Sequence, residues 1–174
     1  MALPVRRRRG NPPGVRNPPV APADLEGMRA ALALARRGAA LGEVPVGAVV
    51  KRGDSILGEA HNETVARNDP TAHAELLAVQ RALEAARSDR LPDATLYVTL
   101  EPCAQCAGAI VLAKVGRVVY GAPDEKAGMA GSVGDLLRHG RLNHRPEVLP
   151  GVLAAECGEL LSAFFGERRD PSRR

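Results

Sequence analysis

The stretch TLYVTLEPCAQCAGAIVLAK, residues 95–114, decides how this chain is built. Its first five residues are rich in β-formers, and residues 95–99 are predicted to form a short strand. Glu101 and Pro102 end the strand, and Pro102 is predicted to open a helix running to about Lys114. Residues 104–114 are apolar nearly all round and rich in Ala and Gly. Such a helix is buried on more than one side, by other helices of the chain or by a second subunit. Cys103 and Cys106 stand three apart in its first turn and share a face. The partial positive charge of a helix N-terminus favours thiolates there.

Outward from this unit the chain alternates. Asp24 is predicted to open a helix to about Leu41, with Leu25, Met28, Leu32 and Ala35 on one face. Residues 44–51 and 55–61 read as strands joined by the turn Arg52-Gly53-Asp54. Asp69-Pro70-Thr71 reads as a helix start, with the helix continuing through Ala86. Residues 117–121 read as a strand, 147–149 as a short edge strand, and 152–168 as a last amphipathic helix carrying Leu153, Leu160, Leu161, Phe164 and Phe165. No internal repeat is present. The order α-β-β-α-β-α-β-β-α implies a sheet covered on both faces: a three-layer α/β/α sandwich around a mixed five-stranded sheet.

With 174 residues, 45% hydrophobic and 25% charged, the chain has the size and composition of one globular domain. Its longest apolar runs, near 44–50 and 107–113, are far too short to span a bilayer. The formal charge of +4 is unevenly placed. Arg6, Arg7, Arg8, Arg9 and Arg16 stand in the first 20 residues without an acid, and the remainder holds 19 basic against 20 acidic residues. Net charge alone therefore carries no argument about a nucleic-acid partner of the folded part. Residues 1–23, rich in Arg, Pro and Gly, are expected to be a disordered tail, as are 169–174, leaving 24–168 as the domain. The tail reads either as a solvated extension or as a basic arm for nucleic acid. No apolar segment of a signal peptide follows Arg9, and three cysteines, two as C-x-x-C, suit a reducing compartment; the expectation is cytoplasmic.

Two short motifs carry the chemistry, His73-Ala74-Glu75 and Pro102-Cys103-Ala104-Gln105-Cys106. If both helices start along one edge of the sheet, His73 and the two thiolates can converge on one Zn²⁺. Three protein ligands leave a position for water, the mark of catalytic zinc, and Glu75 stands where it can move that water's proton. C-x-x-C alone would also suit a structural zinc closed by His61, His139 or His144, or a redox pair. H-x-E followed by P-C-x-x-C is instead the signature of zinc deaminases that attack cytosine C4 or adenine C6.

On these motifs the sequence resembles the cytidine-deaminase-like superfamily. Within it the chain is similar to the bacterial tRNA adenosine deaminases, which make inosine at the anticodon wobble position. Besides the two motifs, EVPVGAVV (43–50), HNETVARNDPTAHAE (61–75), RVVYGAPDEKAGMAGS (117–132) and LAAECGELLSAFF (153–165) carry the resemblance, which spans about 28–165. It implies zinc, one per subunit, on His73, Cys103 and Cys106, with Glu75 as proton shuttle for zinc-hydroxide attack on C6 of adenine. Asn62 matches the residue that holds the base, Val46 a wall of its pocket, and Asp124 an acidic residue near the substrate ribose. Pro123 stands where a basic residue is usual. Of Phe164 and Phe165, one is expected buried and one, Phe165, near the RNA. The resemblance further implies a homodimer and a tRNA anticodon loop as partner, with arginine tRNA the usual bacterial substrate. A free-base or nucleotide deaminase acting on guanine, cytosine or deoxycytidylate would share the zinc site, and a non-catalytic zinc module would lack a use for Glu75. Cys157 reads as a core thiol, and His61, His139 and His144 as surface or packing residues.

Overall fold

The computed structural model describes residues 18–169. Five strands form one sheet in the order β2-β1-β3-β4-β5. They are β1 (Gly47–Arg52), β2 (Ser55–His61), β3 (Thr95–Leu100), β4 (Arg117–Ala122) and β5 (Glu147–Pro150). β1 runs antiparallel to both β2 and β3, whereas β3, β4 and β5 are mutually parallel, so the sheet is mixed as expected. The helices are α1 (Pro22–Ala40), α2 (Ala74–Ala86), α3 (Ala104–Leu112) and α4 (Ala154–Arg169). One face of the sheet packs Val49, Tyr97, Val119 and Leu149 against Met28, Ala31 and Leu32 of α1 and Cys157 of α4. The other packs Ala48, Val50, Leu96, Val98 and Val118 against Ala78 and Ala82 of α2 and Ala107 and Ile110 of α3. That alternation is the period-2 pattern of strands buried on both faces. Glycine lets the helices lie directly on the sheet: a Cβ on Gly47 would stand 2.0 Å from the Ala31 carbonyl oxygen of α1.

Element identities follow the sequence expectation, but several starts move. α1 begins at Pro22 rather than Asp24, because Asp24 is the third helical residue and its Oδ2 reaches back to accept the Ala21 N–H at 3.0 Å. The tail expected over 1–23 therefore loses its last residues to the helix; residues 1–17 and 170–174 lie outside the described residues, and Arg169 still belongs to α4. α2 begins at Ala74, not near Pro70. Asp69 Oδ1 accepts both the N–H and the hydroxyl of Thr71, at 2.8 and 2.7 Å, closing an Asx turn that keeps 69–72 out of the helix. α3 spans Ala104–Leu112, and Lys114 beyond it takes a left-handed backbone, φ 53°. α4 starts after Gly151 and Leu153, both at positive φ.

α3 is covered by its own chain on one side only. Cys106, Ala107, Ile110 and Val111 are buried, while Leu112 is 80% exposed. Neither phenylalanine of α4 is buried, contrary to the expectation for one of them. In the last turns of α4, Phe165 is 43% exposed and meets Phe164 edge-on with centroids 5.5 Å apart. Arg168 lies over Phe164 and donates to the Gly42 carbonyl at 2.7 Å, tying this end of α4 to the α1–β1 connection. No described helix is long and apolar enough to cross a membrane.

Candidate active site

Both motif-bearing turns sit at helix starts packed side by side. His73 is the residue immediately before α2 and Cys103 the one before α3, each with extended backbone, φ −75°. Gln105 fastens the two starts together by donating its amide to the Thr71 carbonyl at 2.8 Å. Cys103 Sγ and Cys106 Sγ then lie 3.5 and 3.6 Å from His73 Nδ1. Tetrahedral zinc with Zn–S near 2.3 Å and Zn–N near 2.0–2.1 Å requires an S···N separation of about 3.6 Å. The three donors lie within 4.8 Å of one another and form, among the described residues, a cluster able to hold a metal ion. Two sulfurs and one imidazole are a zinc-type donor set.

The electrostatics of the turns suit a cation. Hydrogen bonds from Cys106 and His73 drive the Cys103 thiol down to about 3. The same shared hydrogen bond, with burial, pushes Cys106 upward. His73 is raised, chiefly by its hydrogen bond to Cys103. Glu75, in the first turn of α2, is buried, and burial pushes its carboxyl up to about 7. It is held near enough to Cys106 to accept a hydrogen bond from its thiol. A carboxyl near neutrality beside a zinc-type cluster has the chemistry of a proton carrier.

The other expected residues fall around this centre. Asn62 is buried, and its N–H donates to the Val46 carbonyl at 3.0 Å, so these two candidates are neighbours. The next residue, Glu63, donates its N–H to the Ala72 carbonyl, one residue before His73. Both protons of the Asn62 amide are already engaged, by Glu43 Oε2 at 3.1 Å and Thr64 Oγ1 at 2.9 Å. The group left to meet a ligand is the side-chain oxygen, Asn62 Oδ1, a narrower reading than the two-point pairing of an Asn with a purine edge. Val46 is buried in the cluster that also holds Ala72 and Ala74. Asp124 is half-buried and turns Oδ1 inward on its own loop, accepting the N–H groups of Lys126 and Ala127. Phe165 stands apart on α4.

His61, His139 and His144 do not join the cluster. His61 Nδ1 donates to the main-chain carbonyl of Asn62, His139 Nδ1 accepts the Arg141 N–H, and His144 Nε2 donates to the Val115 carbonyl. Cys157 is a buried thiol, raised by burial to about 11.

Two buried glutamates were not foreseen. Glu43 accepts the N–H of Ala66 at 2.7 Å and of Val65 at 3.2 Å besides the Asn62 amide. Burial opposes its ionisation, but these bonds outweigh it and hold the carboxyl below its usual range. Glu101 accepts the backbone N–H groups of Asp124, Ala130 and Ser132. The only signal available was a glutamate flanked by β-formers and proline in both EVPVG and LEPC.

Comparison with known proteins agrees with this geometry. The family model of the MafB19-like deaminases matches residues 23–169. A tRNA-specific adenosine deaminase of Haemophilus influenzae is 46% identical over 151 residues, covering 86% of this chain and 87% of that one. One of Bacillus subtilis is 48% identical over 142 residues, covering 82% and 88%. A solved structure from a study of A-to-I editing by tRNA:A34 deaminases at the wobble position of transfer RNA superposes with a TM-score of 0.75 at 40% identity, covering 78% of this chain and 99% of that one.

Proposed function

Since the chain belongs to the MafB19-like deaminases and to the tRNA-specific adenosine deaminase family, we propose that it hydrolyses adenosine to inosine at the wobble position of a tRNA anticodon. The observation that carries this is the buried Glu75 beside three donors at zinc spacing. His73, Cys103 and Cys106 hold one zinc ion per subunit. Bound there, zinc supplies Lewis acidity and a water of lowered pKa at the reacting carbon.

Glu75 takes one proton from the attacking water and delivers it to N1 of adenine, then takes the proton of the hydroxyl now on C6 and gives it to the departing amine. Water has then added at C6, ammonia has left and a carbonyl remains. Its burial favours this cycle, because a carboxyl that water does not hold ionised gains and loses a proton readily near neutrality. Asn62 presents its side-chain oxygen, Oδ1, to the base, Val46 forms an apolar wall, and Asp124 lies on the ribose side. Phe165 offers an exposed ring on which an anticodon base stacks. The anticodon loop of arginine tRNA is the first substrate to test, and the cytoplasm, where three free cysteines persist, the compartment. A second copy of the chain, docked on the open side of α3 around Leu112, completes a homodimer.

Purified protein is incubated with anticodon stem-loops bearing A, C or G at the wobble position, and with free guanine and cytosine. Inosine and ammonia are expected from the A-bearing RNA alone. Glu75→Ala is expected to keep its zinc and lose about 10²–10⁴ in rate. Ammonia from a free base but not from RNA would replace this reading with that of a nucleobase deaminase.

A further inference from the structure

Glu101 follows β3 and precedes the Cys103 turn, and it is 1% exposed. An ionised carboxylate taken so far from water needs several hydrogen-bond donors. All that it has come from one irregular loop. Asp124 N–H donates to Oε2 at 3.0 Å, Ala130 and Ser132 N–H to Oε1 at 2.9 and 3.0 Å, and the Ser132 hydroxyl also donates to Oε2. Around these bonds the loop is pressed onto the metal-site turn. Met129 N–H donates to the Pro102 carbonyl at 2.8 Å, and Cys103 pairs with Gly128 as an isolated bridge. Gly128 leaves no space there: a Cβ on it would lie 2.4 Å from Glu101 Cδ and 2.6 Å from the Asp124 carbonyl oxygen.

We propose that Glu101 is a positioning residue: it fastens the loop 124–132 against the Cys103 turn and so fixes one wall of the substrate pocket without touching substrate. Besides Glu101, the loop is held by the Met129–Pro102 and Cys103–Gly128 contacts and by Arg138 Nη1, which donates to the Ala130 carbonyl at 3.1 Å; none of these joins its two ends. It contains no helix or extended strand, and Gly131 adopts φ 138°, a conformation of wide freedom. Fixing nine such residues costs conformational entropy that local turns alone do not offset. The Asp124 side chain organises only Lys126 and Ala127. The four bonds to Glu101 join the two ends of the loop, Asp124 and Ser132, through one carboxylate. This assignment rests on the proposed function for the identity of the substrate, but not for the clamp itself.

The substitution Glu101→Gln discriminates between the loop's two ends. The single carbonyl oxygen of Gln serves Ala130 and Ser132, and its NH₂ can donate to Ser132 Oγ. That NH₂ then faces the Asp124 N–H, donor against donor. Hydrogen exchange at the Asp124 amide is expected to accelerate about 10- to 100-fold, the worth of a hydrogen bond to a charged group, with Ala130 and Ser132 less affected. Glu101→Asp, which keeps the acceptors on a shorter stem, should recover part of the protection. Gly128→Ala wedges the same contact from the loop side and should loosen the loop with Glu101 intact.

In single-turnover reactions on an anticodon stem-loop, Glu101→Gln and Gly128→Ala should raise the half-saturating RNA concentration about tenfold and change the saturating rate less than about threefold, with zinc content unchanged. Unaltered exchange over 124–132 in folded Glu101→Gln would overturn the proposal. So would loss of zinc in step with rate at an unchanged half-saturation, which makes Glu101 scaffolding of the metal turn instead. Should Glu101→Gln fail to fold, Gly128→Ala and Ser132→Ala carry the same readouts and the same refutation. The exchange measurement needs no RNA, so it stands even if the parent protein deaminates none.

Discussion

Substituting Asp24 by Asn should destabilise the domain without touching its chemistry. Asp24 is fully buried at the start of α1 and receives both Nη atoms of Arg117, Nη2 at 3.2 Å, with the Ala21 N–H at 3.0 Å and the Tyr97 hydroxyl at 3.5 Å. Removing one partner of a buried ion pair costs about 3–5 kcal/mol. Arg117 is 23% exposed and keeps a second carboxylate, Glu147, at 2.7 Å, so its charge is not orphaned. The expected loss is therefore smaller, about 2–3 kcal/mol, or a fall in Tm of about 5–10 °C for a domain of this size.

The pH dependence tests the cause. Burial alone would raise the Asp24 pKa, but the bonds from Arg117 and Ala21 prevail and hold it below the ordinary value. A carboxyl depressed in the folded state contributes stability fully above its unfolded pKa, about 3.9, and loses it as pH falls through the folded value. Urea unfolding of parent and variant should show a constant gap from pH 7 to about pH 5, closing below about pH 4. A gap that persists undiminished at pH 3 would refute the ionic account. Arg117 opens β4, whereas the candidate site lies beyond the strand's other end. Five steps of about 3.3 Å put roughly 17 Å between them, so deamination at 25 °C should be unchanged in the variant.

Three further outcomes are expected. Cys106→Ala should lose zinc and activity together, measured by metal analysis of the purified protein; full metal content would remove Cys106 from the ligand set. Leu112→Glu, on the open side of α3, should convert a dimer to monomer in sedimentation equilibrium, with the unfolding midpoint of the monomer little altered. Gly47→Ala would place a Cβ 2.0 Å from Ala31 O and 2.6 Å from Ala35 N, both backbone atoms of α1 that cannot yield separately. A loss of at least about 3 kcal/mol in urea unfolding is expected.

The architecture was legible because its signals are local. β3 and α3 announce themselves by β-formers, a proline and an apolar helix, and the same holds along the chain, so the order of elements and the mixed sheet follow. The candidate metal cluster was legible for the same reason: His73, Cys103 and Cys106 each stand at a helix start, and the two starts touch through Gln105 and Thr71. Helix starts were misplaced where a side chain competes with the helix for backbone donors. Asp69 takes the Thr71 N–H and delays α2 to Ala74, and no period in the apolar residues registers that competition. His73 consequently lies before the first turn rather than within it, which leaves its ring at the mouth of the helix with the sulfurs.

What stayed hidden is the pair of carboxylates that shape the walls. Glu43 and Glu101 precede the segments that carry Val46 and Cys103, yet their partners lie 19 to 23 residues away for Glu43 and 23 to 31 for Glu101. Most of those partners are backbone N–H groups, which every residue but proline carries and which therefore leave no trace in composition or charge pattern. The division has a physical logic. Chemistry at the centre requires particular side chains, so it is written in residue types at fixed spacing. Holding the loops around it requires only donors in the right place, which the sheet supplies by bringing the ends of β1 and β3 under the loops after β2 and β4. Each glutamate thus converts the register of the sheet into the position of a loop, and a change that shifts β3 against β4 by one residue should disorder 124–132 while leaving every motif intact.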